Sequence, residues 1–119
     1  MAGAGTRYDY CKIFLNGLDR EAAQRAVVRL LDGTPQRFFS IQSEFVHVDV
    51  RRNDDHDPSR LDDFLFWPIY LDVMRRPNAS NESVRASVSA LLRGLWQGDV
   101  DAVPACDFED ELPSPGESP

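Results

Sequence analysis

With 119 residues, 42% of them hydrophobic and 28% charged, the chain has the size and make-up of one globular domain with a modest core, which excludes wholesale disorder. No apolar run approaches the roughly 20 residues that span a bilayer, and MAGAGTRYDY lacks the basic and apolar regions of a secretory signal, so a cytoplasmic address without membrane contact is expected. The net charge of −7 is uneven: residues 53–63 hold five aspartates and one arginine, residues 99–119 hold seven acids and no base, and the rest sums to +4. Such fields attract basic partners and repel phosphate backbones, which disfavours nucleic acid.

Residues 1–7 read as a flexible leader. The alternation in YDYCKIFL predicts a strand over 8–15, with Tyr8, Tyr10, Lys12 and Phe14 on one face and Asp9, Cys11, Ile13 and Leu15 on the other. Asn16-Gly17 breaks it. Asp19 is a suitable helix N-cap, and Ala23, Ala26, Val27, Leu30 and Leu31 form one helical stripe that Gly33 and Pro35 end. RFFSIQSEFVHVDVRR then predicts a hairpin turning near Gln42–Glu44, in preference to one long bent strand: Phe39, Ile41 and Phe45 alternate with polar residues, and Val46, Val48 and Val50 with His47, Asp49 and Arg51.

The Asn/Asp/Pro/Ser content of 53–63 marks an exposed loop. FLFWPIYLDVMRR reads as the next strand. Pro68 lies inside it and cannot donate to a ladder, so the strand is expected at a sheet edge or with a bulge. Strand alternation would send Phe64, Phe66 and Pro68 to one face and Leu65, Trp67 and Ile69 to the other. A second helix follows the cap choices at 78–81, with Val84, Val88, Leu91, Leu92, Leu95 and Trp96 as its stripe and Gly98 as its stop. VDAVPACDF is a short last strand against the first, and 113–119 is an acidic, proline-rich tail expected to be disordered.

The order β-α-β-β-β-α-β over residues 8–112 predicts an α+β domain, two helices on one face of a mostly antiparallel sheet. It is a ferredoxin-like split βαβ plan with one added strand. Cys11 and Cys106 sit in apolar stretches outside any C-x-x-C or zinc spacing, so free thiols packed in the core are expected.

No motif for a cofactor or phosphate loop is present, and no nucleophile motif accompanies His47 or His56. Asp54, Asp55, His56, Asp57, Asp62 and Asp63 are metal-type ligands, but their spacing is not that of a calcium loop and no glycine makes its turn. They read as a solvated, chain-locking loop, and no metal or catalytic set is assigned. A glycosidase pair drawn from Asp107, Glu109, Asp110 and Glu111 would need a deep sugar cleft, which so small a chain struggles to build.

Acids beside aromatics make a protein interface: Asp54, Asp55, Asp57, Asp62 and Asp63 to steer a basic partner, Phe66 and Trp67 to anchor it, and Asp107, Glu109 and Asp110 as a second acidic surface. The competing arrangement buries all the aromatics under the helices. The alternative function is a small-ligand or enzymatic groove using His47, Asp49, Arg51 and Arg52. A further possibility is a homodimer that pairs edge strands through Tyr70.

The runs IFLNGLDREA, VDVRRNDD, DFLFWPIYLDV and ACDFEDELP resemble those of small uncharacterised bacterial proteins, often from high-GC genomes, which are similar to the immunity proteins that neutralise polymorphic toxins. The likeness spans roughly residues 8–113 and brings no catalytic residues. It implies a non-enzymatic protein that binds and blocks a toxin domain, in keeping with the charge.

Overall fold

The computed structural model describes residues 5–115; the leader and tail expectations lie outside them for residues 1–4 and 116–119. The strands are β1 (Tyr10–Asn16), β2 (Thr34–Gln36), β3 (Ser40–Gln42), β4 (Val46–Arg52), β5 (Ile69–Arg75) and β6 (Asp101–Ala105). The helices are α1 (Arg20–Leu31) and α2 (Asn81–Gln97). They pack against one six-stranded sheet of order β2-β3-β4-β5-β1-β6, antiparallel at every pairing. The inner run β4-β5-β1-β6 has the split βαβ arrangement: β5 separates β1 from β4, and β1 separates β5 from β6.

Pattern and core agree. Cys11, Ile13 and Leu15 of β1, Val46, Val48 and Val50 of β4, and Ile69, Leu71 and Val73 of β5 all turn to the helix side and are buried. They meet Ala23, Ala26 and Val27 of α1 and Val84, Val88, Leu91, Leu92 and Leu95 of α2. Asp19 caps α1 by accepting from the Ala22 N–H at 2.8 Å, and Ser80 caps α2 by accepting from the Ser83 N–H at 3.0 Å. The helices approach closely at Gly94, where a Cβ would lie 2.1 Å from Cδ2 of Leu30. At the end of α1 the left-handed residue is Asp32, with φ 51°. Gly33 serves a different need, since a Cβ there would meet Ile41 Cγ2 at 2.5 Å.

Three expectations need correction. First, Thr34–Gln36 forms an extra short strand on β3, so Pro35 sits in an exposed edge strand rather than only ending the helix. Phe39 belongs not to a strand but to the turn joining β2 to β3, in which Phe38 and Phe39 both have positive φ, 61° and 59°.

Second, β5 is not an edge strand. It starts at Ile69, just after Pro68, so the ladder loses no N–H to the proline, and it pairs with β4 on one side and β1 on the other. A dimer through the edge at Tyr70 is therefore excluded, because both flanks of that strand are taken. Third, Phe64–Phe66 is a 3₁₀ turn, not strand. Asp63 accepts from the Leu65 N–H at 3.0 Å and winds the chain there, so the two-face alternation of residues 64–69 does not occur.

Candidate interaction site at one end of the sheet

The register sorts the loops. Leu15 pairs with Ile69 at one end of the sheet, and Tyr10 pairs with Met74 at the other. The 53–68 loop precedes Ile69 and so lies at the Leu15 end. Phe39 accepts from the Val50 N–H at 3.0 Å, which brings the β2–β3 turn to the same end, beside the start of α1. Cys106 to Glu111 follow Ala105, the partner of Lys12, and lie towards the opposite end. The acids of 106–111 therefore do not share a surface with the 53–68 loop, whereas Asp101, paired with Asn16, lies at the loop's end of the sheet.

The 53–68 loop is closed by its own polar groups. The Asn53 amide donates to the carbonyls of Leu65 at 2.9 Å and Trp67 at 2.7 Å, while its Oδ1 accepts from the Asp55 N–H at 3.0 Å. Asp57 accepts from both the N–H and the hydroxyl of Ser59, which caps the 3₁₀ turn Pro58–Arg60 and holds the Asp57 carboxyl below the usual carboxylate range. The Trp67 indole donates to the Leu61 carbonyl at 2.7 Å.

Phe64 stands edge-on to Phe14, with ring centres 5.2 Å apart, and to Trp67 at 6.4 Å. The Arg60 guanidinium lies 3.8 Å from the Phe66 ring centre. Phe64 thus packs on the sheet face opposite the helices with Trp67 beside it; all three aromatics are half-buried, and the apolar side chains that protrude from the loop are Leu61 and Leu65, 37% and 50% exposed. Asp54, Asp55 and Asp62 are exposed, and their carboxylates take no hydrogen bond or ion pair among the described residues.

Between this loop and the β2–β3 turn runs a groove of about 700 Å³, lined by Arg20, Phe39, Arg52, Asn53, His56 and Pro68 among others. The Arg20 guanidinium lies 4.1 Å from the Phe39 ring centre, and its shielded Nε has no hydrogen-bond partner among the described residues. Beside the groove, Phe38 is 78% exposed. A bulky residue in the left-handed region is strained, commonly by about 1–3 kcal/mol. Sequence reasoning missed Phe38: the run RFFSI carries strand-forming residues and no glycine or asparagine to announce a left-handed turn.

The polar face of the sheet forms a separate network. His47 Nε2 and Asp49 Oδ1 are 3.0 Å apart, Arg51 donates to Asp49 Oδ2 at 3.1 Å, and the Ser40 hydroxyl donates to Asp49. Arg51 also lies 3.8 Å from Asp72, which accepts from the Tyr10 hydroxyl. Lys12 Nζ sits 4.1 Å from the Tyr70 ring centre. Partial burial opposes ionisation of Asp49, but Ser40, His47 and Arg51 outweigh it and hold its carboxyl below the usual range. The aspartate stands between serine and histidine, so Ser40 faces a carboxylate rather than a base that could take its proton, which is the wrong order for a nucleophile triad. Of the residues expected to form a ligand groove, only Arg52 lines the one described above.

At the far end, Glu111 accepts from the Tyr8 hydroxyl and from Arg85, each at 2.6 Å, which keeps its carboxyl below the usual range. Asp107, Glu109 and Asp110 are exposed. Among the described residues, no group of three or more His, Cys, Asp or Glu side chains could hold a metal ion, and no helix is long and apolar enough to cross a membrane. Comparison with protein-family models, with curated proteins and with solved structures finds no match.

Proposed function

We propose that the chain is a non-enzymatic, cytoplasmic, protein-binding module of the immunity type, which grips a basic toxin domain with the groove end of its sheet. The carrying observation is the division of labour in the 53–68 loop: Asp57 and Asp63 cap its turns, whereas the exposed carboxylates of Asp54, Asp55 and Asp62 have no hydrogen-bond or ion-pair partner among the described residues. Free carboxylates raise the encounter rate with a basic surface through long-range attraction. Phe38, Leu61 and Leu65 supply exposed apolar contacts beside them. Phe66 and Trp67, half-buried within the loop, act by fixing its shape and present only their exposed edges.

Co-expression with the product of the adjacent gene, followed by co-purification at low salt, tests this reading. A stoichiometric complex weakened by Phe38→Asp supports it. A complex that forms equally well with Phe38→Asp and with Asp54, Asp55 and Asp62 all changed to asparagine places the contact elsewhere.

A further inference from the structure

Cys11 and Cys106 come from opposite ends of the chain. β1 and β6 pair from Asn16↔Asp101 to Lys12↔Ala105, and the next step of that register sets Cys11 opposite Cys106. Both are free thiols that pack with the core on the helix side of the sheet, where the Cys11 thiol donates to the Lys12 carbonyl at 3.8 Å. Residues directly opposite in an antiparallel pair have Cα atoms about 4.5–5.5 Å apart, inside the roughly 4.4–6.8 Å that disulfides take.

The two sulfurs differ in surroundings. Cys11 is fully buried, while Cys106 lies just past the end of β6 and is partly accessible. The neighbouring Cys11 side chain and the Phe108 backbone hold the Cys106 thiol below the ordinary value, against burial and the nearby Glu109 and Asp107 carboxylates. The Cys106 side chain beside it, together with burial, pushes the Cys11 thiol up. Cys106 is thus the thiol that a small solute can reach, with Cys11 shielded beside it.

We propose that Cys106 and Cys11 form a peroxide-reactive dithiol site, with Cys106 as the attacking thiolate and Cys11 as the resolving thiol. The Cys106 sulfur attacks one oxygen of a hydroperoxide, forming an S–O bond as the O–O bond breaks. The departing oxyanion takes up a proton, leaving Cys106 as a sulfenic acid. The Cys11 sulfur then attacks the Cys106 sulfur; the S–O bond breaks, and hydroxide leaves as water with the Cys11 proton. Two thiols and one hydroperoxide give one disulfide, one alcohol (or water) and one water, and the two electrons lost by sulfur are gained by the peroxide.

The test is treatment of the full chain with hydrogen peroxide, then thiol titration, intact mass measured without reductant, and tryptic mapping. The expected result is loss of both thiols, a mass lower by two hydrogens, and a peptide of residues 8–12 joined to one of residues 94–119. In Cys11→Ser, Cys106 sulfenic acid should accumulate and be trapped by dimedone; in Cys106→Ser, Cys11 should stay a thiol. Retention of both wild-type thiols, a disulfide joining two chains, or Cys106→Ser reacting as fast as the wild type would each overturn the proposal. The wild-type map needs no variant, so a folding defect in either variant leaves the test intact.

Discussion

Asn53 donates its side-chain amide to the Trp67 carbonyl at 2.7 Å, across the whole width of the acidic loop. The same amide reaches the Leu65 carbonyl at 2.9 Å, so one residue just past β4 ties down two residues of the segment that leads into β5. Asn53→Ala removes these donors, and a net loss of about 1–3 kcal/mol is expected. Urea denaturation measures it. Hydrogen exchange should show faster exchange of the Asp57 and Phe66 amides, while the amides of β1 and β5 hold.

The aspartates of this loop separate into two kinds. Asp63→Ala removes the acceptor for the Leu65 N–H and should cost about 1 kcal/mol, as lost caps commonly do. Changing Asp54, Asp55 and Asp62 together to asparagine touches no side-chain bond among the described residues and should leave unfolding stability within about 0.5 kcal/mol. Equal losses from the two variants in thermal melts would show that the free carboxylates also hold the fold.

The segment after β6 is part of the folded body. Phe108 is buried and stacks on Tyr8 with ring centres 5.0 Å apart, next to the Glu111 bonds. Phe108→Ala should destabilise by about 3–5 kcal/mol, the usual cost of emptying a core aromatic site. Tyr8→Phe keeps the stack and loses only the hydroxyl, so its melting temperature should fall by less. Calorimetry on the two variants gives the comparison.

Acid should weaken the polar face of the sheet in a defined direction. The folded-state pKa of Asp49 lies below its unfolded value of about 3.9. Its contribution to stability is therefore present above the unfolded value and is lost as pH falls through the folded one. Glu111 has the same sign. Asp49→Asn should flatten the acid limb of a stability-against-pH curve, leaving a smaller difference from the wild type at low pH than at neutral pH.

Elements with a clear period were legible in the sequence. β1, α1, β4 and α2 were set by alternating or helical apolar stripes, and Asp19 was readable as a cap because its side chain competes for a local N–H. Residues 64–68 were not legible, because three aromatics and a leucine look like strand while a single capping aspartate winds them into a turn. Strand propensity is a packing preference, and here the packing is onto Phe14 from outside the ladder. The pairing of Cys11 with Cys106 was hidden for another reason: it follows from the β1–β6 register, a long-range property that neither residue's neighbours encode. Phe38 stayed hidden because residues 34–36 are too short to show a period.

The proposed binding is tested most directly by the association rate between this chain and a protein that co-purifies with it, measured across a range of salt concentrations, for the wild type and for the variant with Asp54, Asp55 and Asp62 changed to asparagine. Electrostatic steering requires the wild-type rate to fall steeply with salt, and the variant to start lower and depend less on salt, with the two curves converging at high salt. Superimposable curves at all salt concentrations would contradict it.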